Sequence, residues 1–153
     1  MASARRPISF WVIILFLIVS MILLLMGQTM AVFNYDFAVR LGLQEDVKEV
    51  SEYGVQVNRA FGAGDTFVYI PLMAISLFGL FLKRRWSLVT TAAVMGISAY
   101  WATTVVFMLF FLPGVPNYNL VAGPEYWLFI GAYIIIGVWG VLYLMFRRDS
   151  VIS

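Results

Sequence analysis

Four long apolar segments alternate with short polar stretches along the chain, and this pattern predicts membrane-spanning helices. The apolar segments cover residues 8–33, 65–82, 86–112 and 125–146. Each is close to or longer than the roughly 20 residues that an α-helix needs to cross the hydrocarbon core of a bilayer. We therefore predict an all-α protein, an integral membrane four-helix bundle in which residues 1–153 form a single domain.

The first apolar segment follows Arg5 and Arg6, so a cleavable signal peptide is the main alternative to a membrane helix. The small residues Thr29 and Ala31, on either side of Met30, form a possible cleavage site. The apolar run, however, is about twice the 7–15 residues of a signal-peptide core. A twin-arginine export signal would need further motif residues, which are missing here. We expect this segment to be retained as a membrane helix.

Residues 34–61 form the only substantial polar segment of the sequence. Within it, residues 44–53 have the spacing of a short amphipathic helix, with Val47, Val50 and Gly54 on its buried side. The acid-rich start of this stretch suits a helix N-terminus. We interpret it as a solvated connector in the first outer loop that lies over the bundle. A lid over a binding site is the alternative.

Basic residues mark one side of the predicted membrane. They are Arg5, Arg6, Lys83, Arg84, Arg85, Arg147 and Arg148, with Asp149 as the one acid among them. The opposite side is mostly acidic, so the positive-inside rule places both termini in the cytoplasm. We expect a bacterial inner membrane as the location. Because the positive charges flank apolar runs instead of forming one face, the net charge of +2 does not indicate a nucleic-acid partner.

The composition excludes several classes of chemistry. The chain is 63% hydrophobic and 12% charged, and it contains no cysteine and no histidine. Disulfides, thiol redox relays, Cys/His zinc sites, histidine-ligated haem and Ser-His-Asp catalysis are therefore ruled out. We expect no metal site and no cofactor.

Polar side chains within the predicted spans gather in the outer half of the bundle, whereas the inner half is almost purely apolar. Counting back from Lys83 at the helical rise places Asp65 about 27 Å away, just inside the boundary of a core about 30 Å thick. A carboxylate at that depth is costly and needs a partner. Pro71 should kink the second helix nearby and free backbone carbonyls.

The outer polar cluster predicts an outward-facing pocket, because a pore would need polar groups at both ends. The candidate ligand-binding residues are Asp65, Arg59, Asn58, Tyr69, Tyr100, Thr103, Thr104, Gln28 and Glu125. We predict no catalytic residue among them.

Simpler interpretations of these residues remain open. Asp65 follows a glycine and precedes an apolar run, as a helix N-cap does. Glu125 lies in the first turn of the fourth helix, where acids are common. Thr103 and Thr104 often bond their own backbone in membrane helices. If Asp65 is instead a paired charge, Arg59 is its expected partner, because the intervening glycines let the chain turn back.

Three functions fit this pattern. The first is binding or sensing of a small or amphiphilic ligand, anchored by Asp65 and Arg59. The second is an accessory or structural subunit, whose small-residue faces dock a membrane-protein partner or a second copy of the chain. The third, which we favour least, is a membrane enzyme that uses Asp65 and Glu125 for proton transfer on a lipid-like substrate. The lipid bilayer is a partner in all three.

The charge distribution generates a testable prediction about topology. Reporter fusions at residue 153 and within residues 44–53 should report opposite compartments, with residue 153 in the cytoplasm, because the basic residues lie on the side of the C-terminus. A result in which both fusions report the same compartment would show that the predicted topology is wrong.

Overall fold

The computed structural model describes residues 6–147 and is built almost entirely of helices. Four helices are long and apolar enough to span a membrane: α1 (Ile8–Phe33), α3 (Val47–Phe81), α4 (Trp86–Phe111) and α5 (Pro124–Arg147). A short helix, α2 (Tyr35–Arg40), links α1 to α3. The predicted all-α, four-helix architecture is confirmed.

Each long helix packs against its neighbour in the sequence, and the last one closes back on the first. The contact between α4 and α5 is the most extensive, and α3 packs against both α1 and α4. Side chains join α5 to α1: the Phe16 and Tyr133 ring centroids lie 5.2 Å apart, edge to face. Near the start of α1 and the end of α5, the Ser9 hydroxyl donates a hydrogen bond to the Tyr143 hydroxyl. The spans therefore form a closed bundle.

Glycines let α4 and α5 approach closely. A Cβ atom added at Gly137 would lie 2.8 Å from the Met95 carbonyl oxygen and 2.9 Å from the Ala99 nitrogen. One added at Gly140 would lie 2.7 Å from the Met95 side chain. Small residues at the interface between membrane helices let the two backbones approach closely. These positions explain why α4 and α5 share the largest contact.

We call the end of the bundle that holds Arg6 and the α3–α4 turn the inner end, and the opposite end the outer end. The Arg6 guanidinium donates to the Phe81 carbonyl oxygen at 3.3 Å and lies 4.3 Å from the centre of the Phe10 ring. These contacts tie the start of α1 to the end of α3. The other terminal charges used for the topology prediction, Arg5, Arg148 and Asp149, lie outside the described residues.

The inner half of the bundle holds an apolar core. Its fully buried side chains include Phe10, Ile13, Leu17, Met73, Leu80, Val94 and Met95. The buried Thr91 hydroxyl in this half has no hydrogen-bond partner among residues 6–147. Two others bond to their own helix or turn: Ser76 donates to the Leu72 carbonyl at 2.8 Å, and Ser87 to the Arg84 carbonyl at 2.6 Å. Such local bonds satisfy the hydroxyls without forming a polar path between helices.

Two π-helical turns interrupt the α-helical geometry in the outer half. One covers Leu25–Thr29 in α1, and the other covers Asp65–Tyr69 in α3. The two turns contact each other. Pro71 follows the second turn, and because proline lacks an N–H and crowds the carbonyl four residues earlier, a wider turn before it relieves both problems. The irregularity predicted from Pro71 is present as a π turn.

The second span begins much earlier than the predicted residue 65. Helix α3 starts at Val47, where Asp46 caps it: the Asp46 carboxylate accepts from the Lys48 N–H at 2.9 Å, and the Glu49 carboxylate accepts from the Asp46 N–H at 2.8 Å. Ser51 has a φ of 67°, which breaks the regular geometry near this start. The predicted outer helix therefore ends at this kink, and the helical segment that leads into the second span begins directly after it, well before residue 65.

This continuity changes the role of Asp65. Its φ of −65° and ψ of −43° are helical, and turns of α3 precede it. The interpretation of Asp65 as an N-cap is therefore wrong, because that role requires a residue at a helix start. The N-cap residue of α3 is Asp46.

Candidate functional site

A polar network centred on Glu45 closes the outer end of the bundle. One carboxylate oxygen of Glu45 accepts a hydrogen bond from the Tyr126 hydroxyl at 2.6 Å, and the other accepts from the Asn58 amide nitrogen at 2.7 Å. The Tyr35 hydroxyl donates to the Glu45 carbonyl oxygen at 2.9 Å and lies 3.1 Å from the Asn58 nitrogen. The network thus joins the α1–α3 connection to both α3 and α5.

The loop between α4 and α5 is fastened to the same end. The backbone N–H of Asn119 donates to the Glu49 carbonyl at 2.7 Å, and its side-chain amide donates to the Lys48 carbonyl at 3.0 Å. These carbonyls belong to the first turn of α3, so the loop is held across the outer surface of that helix.

The phenol groups of two tyrosines near Glu45, Tyr35 and Tyr118, stay protonated. Burial raises the pKa of Tyr35, and the Glu45 charge raises it further, while the hydrogen bond from Asn58 opposes the shift. Burial also raises the pKa of Tyr118, with the Glu45 charge as the second cause. Both phenols lie outside the membrane-spanning helices.

A half-open cleft of about 450 Å³ lies beside this network on the outer surface. Its lining residues come from α2, the start of α3 and the residues around them: Tyr35, Asp36, Val39, Arg40, Asp46, Val47, Glu52, Val55 and Arg59. The cleft therefore carries charges of both signs next to an apolar wall of valines. Of the predicted site residues, only Arg59 lines it.

Asp65 lies apart from this cleft, inside the bundle. The residue is only 7% exposed, and its Oδ2 atom has no hydrogen-bond partner among residues 6–147. Tyr69 and Tyr133 lie within electrostatic reach of the carboxylate. The Tyr69 hydroxyl is hydrogen-bonded to the Ser98 hydroxyl, and the Tyr133 hydroxyl faces Ser20 without completing a hydrogen bond.

Gln28 occupies the π turn of α1 that faces the π turn of Asp65. Its Oε1 atom is buried and lacks a hydrogen-bond partner in the described part of the chain. Beside it, the Thr66 hydroxyl donates to the Gly62 carbonyl at 2.7 Å and lies 3.0 Å from the Thr29 hydroxyl oxygen. The predicted polar residues Asp65, Tyr69 and Gln28 are therefore all in the bundle, two of them with unpartnered acceptor atoms.

Arg59 is not the charged partner of Asp65. Its guanidinium donates to the Gln56 side-chain oxygen at 3.4 Å and to the Val32 carbonyl at 3.3 Å. No ion pair joins it to Asp65 in the described structure. The helix continues through the glycines between the two residues, so the chain does not turn back as that prediction required.

The remaining predicted site residues lie outside the bundle interior. Tyr100 is 73% exposed, and Thr103 is also exposed, so this face of α4 points away from the core. The Thr104 hydroxyl donates to the Tyr100 carbonyl at 2.9 Å, as its simpler interpretation predicted. Glu125 is exposed in the first turn of α5, a position that fits a helix-start residue.

Sequence reasoning missed the centre of the outer network. Glu45 was treated only as part of an acid-rich helix start, and Tyr35, Tyr126 and Asn119 were not candidates. These residues lie far apart in the sequence and follow no shared periodicity. The one available signal was the concentration of polar and aromatic residues at both ends of the long outer segment.

Comparisons with protein families, with characterised proteins and with solved structures found no match.

The Glu45 network generates a prediction about stability. We expect Glu45→Ala to lower the free energy of unfolding by about 1.5–3 kcal/mol, because hydrogen bonds to a charged acceptor are lost and Tyr126 and Asn58 keep unpaired donors. Reversible denaturation of the purified protein in detergent measures this loss.

The matched control is Glu52→Ala, which removes an exposed carboxylate from the same helix start and should change stability by no more than about 0.5 kcal/mol. In a double-mutant cycle, Glu45→Ala and Tyr126→Phe should show a coupling energy above about 0.5 kcal/mol. Equal losses in the two single glutamate variants, or strict additivity in the cycle, would contradict the network.

Proposed function

We propose that this protein binds a small amphiphilic ligand in the outer cleft. The observation that carries the proposal is the composition of the cleft wall. Arginines and acids lie on a surface that also presents Val39, Val47 and Val55, within a volume of about 450 Å³. Ligand pockets of this size typically combine an apolar wall with a few polar groups that fix orientation.

The charges suit a zwitterionic headgroup. Arg40 and Arg59 each carry the planar donor fork that recognises phosphate or carboxylate oxygens. Asp36 and Glu52 lie in the same cleft and can accept hydrogen bonds from an ammonium group. The valine wall would then cover the first carbons of an alkyl chain.

The Glu45 network supports the shape of this cleft before a ligand arrives. Tyr35 lines the cleft and donates to the Glu45 carbonyl, so one cleft wall is fixed to the network. Asp46 lines it as well, and its carboxylate is already oriented by capping α3. A preorganised wall lowers the cost of ordering side chains when a ligand binds.

An accessory subunit is the second candidate. It is favoured by the lipid-side face of α4, where Tyr100 and Thr103 are exposed next to Gly96, and a Cβ atom added at Gly96 would meet nothing within 4 Å. Small and polar residues on such a face are suited to docking of another membrane helix. The enzyme hypothesis has less support, because Asp65 is buried and Glu125 is exposed at the start of α5.

Binding of a fluorescent lysophosphatidylethanolamine, whose primary ammonium group can donate hydrogen bonds, to the purified protein in nanodiscs tests the first proposal. We expect saturable binding, and we expect Arg40→Gln and Arg59→Gln each to weaken it by about tenfold, the factor that corresponds to the loss of one charge-assisted hydrogen bond. Glu125→Gln, an exposed outer carboxylate that does not line the cleft, is the control and should leave binding unchanged.

Two outcomes would contradict the proposal. Binding that rises linearly with probe concentration would indicate partition into the bilayer. Saturable binding that is the same in all variants would place the ligand elsewhere. Capture of a membrane protein through α4, lost in a Gly96→Leu variant, would support the accessory role instead.

A further inference from the structure

The facing π turns of α1 and α3 present buried oxygen acceptors without donors. Asp65 Oδ2 and Gln28 Oε1 are both inaccessible to solvent and have no hydrogen-bond partner within residues 6–147. Buried polar atoms in membrane helices are nearly always satisfied, and an orphaned one calls for an unseen partner. That partner must supply either protons or positive charge, because both atoms are acceptors.

The charge of Asp65 favours a cation over a water molecule as this partner. A carboxylate within a membrane-spanning helix is costly unless a positive group compensates it. Arg59 is occupied by Gln56 and the Val32 carbonyl, and no described cation forms an ion pair with Asp65. A water molecule alone could bridge the two acceptors, but it would leave the negative charge in place.

Oxygen atoms, the hard donors that alkali cations prefer, lie at the contact between the two π turns. Besides Asp65 and Gln28, the contact between the turns brings together the Thr29 and Thr66 hydroxyls and the Gly62 carbonyl. In membrane transporters, Na⁺ is held where helices depart from regular geometry and carbonyl oxygens become available. π turns are such departures and occur often at functional sites.

A single carboxylate favours a monovalent ion. One bound Na⁺ neutralises Asp65, whereas a divalent ion would leave a net positive charge buried in the bundle. Among the described residues, no group of three or more acidic, histidine or cysteine side chains comes together to hold a metal ion of higher charge.

We propose that the paired π turns form a binding site for a small monovalent cation such as Na⁺, with the Asp65 carboxylate and Gln28 Oε1 as ligands. This site is separate from the outer cleft, and the cation would be present whether or not an amphiphile is bound there. Its role is to neutralise the carboxylate and hold α1 against α3.

Thermal unfolding of the purified protein in NaCl, KCl, LiCl or choline chloride at equal ionic strength tests the proposal. A ligand that binds only the folded state stabilises it by RT ln(1 + [L]/Kd), so the unfolding midpoint rises with the logarithm of ligand concentration above Kd. We expect such a rise with an alkali cation and not with choline, with Na⁺ or Li⁺ the most effective.

Variants separate the site from general salt effects. Asp65→Asn should be more stable than wild type in choline chloride, because the uncompensated charge is gone, and should lose the response to Na⁺. Gln28→Leu should weaken Na⁺ affinity by about tenfold or more, the scale on which loss of one metal-site partner acts. Glu125→Gln, which alters an exposed carboxylate in the first turn of α5, should keep the wild-type response.

Equilibrium dialysis of the wild-type protein with radioactive Na⁺ provides a measurement that does not depend on the variants folding. We expect close to one bound ion per chain. A midpoint that is the same in NaCl and choline chloride, an absence of bound Na⁺, or a full Na⁺ response in Asp65→Asn would each overturn the proposal. Protonation of Asp65 or a bridging water would give the first two of these results.

Discussion

The close contact between α1 and α3 at Gly62 is the constraint on which the outer half of the structure depends. A Cβ atom added at Gly62 would lie 2.5 Å from the Gln28 carbonyl oxygen, a backbone atom that cannot rotate away. The absence of a side chain therefore lets the two backbones touch. With that contact made, the π turns meet and the Thr29 and Thr66 hydroxyls come within 3.0 Å of each other.

The same contact separates two chemical environments. Within the bundle, Asp65 is enclosed and depends on a compensating charge, because no described side chain provides one. Above it, α3 continues outward to Val47 and supports a solvent-facing surface, where Glu45 links α3 and α5 and a cleft opens beside α2. A cation at the first site would stabilise the helix contact, while the cleft remains free to bind an amphiphile.

The sequence predicted those features that follow from hydropathy and local backbone chemistry. Apolar runs give the spans, and Pro71 correctly marked an irregular turn beside Asp65. Other features depend on tertiary structure: α3 continues from the kink at Ser51 through Gly62 and Gly64 into the span, whereas those glycines predicted a helix start at Asp65.

The rotation of α4 about its own axis, which decides which of its faces meets the core, could not be predicted from the sequence either. Tyr100 and Thr103 belong with Asp65 to the polar cluster predicted for the outer half, but position along a helix does not determine which face of α4 meets the core, and both side chains are exposed. The predicted pairing of Arg59 with Asp65 was wrong because it also depended on a feature that tertiary packing decides. Glycines permit a turn, but a helix can also pass through them when packing against α1 favours close approach.

A comparison of Gly62→Ala with Gly64→Ala tests the helix contact most directly. Both residues lie in α3, and a Cβ atom at Gly64 would meet nothing within 4 Å. Alanine favours a helix interior over glycine by about 0.5–1 kcal/mol, so Gly64→Ala should be as stable as wild type or more stable. Gly62→Ala should be less stable despite the same gain, as measured by the free energy of unfolding. Equal stability of the two variants would contradict the close contact of α1 and α3.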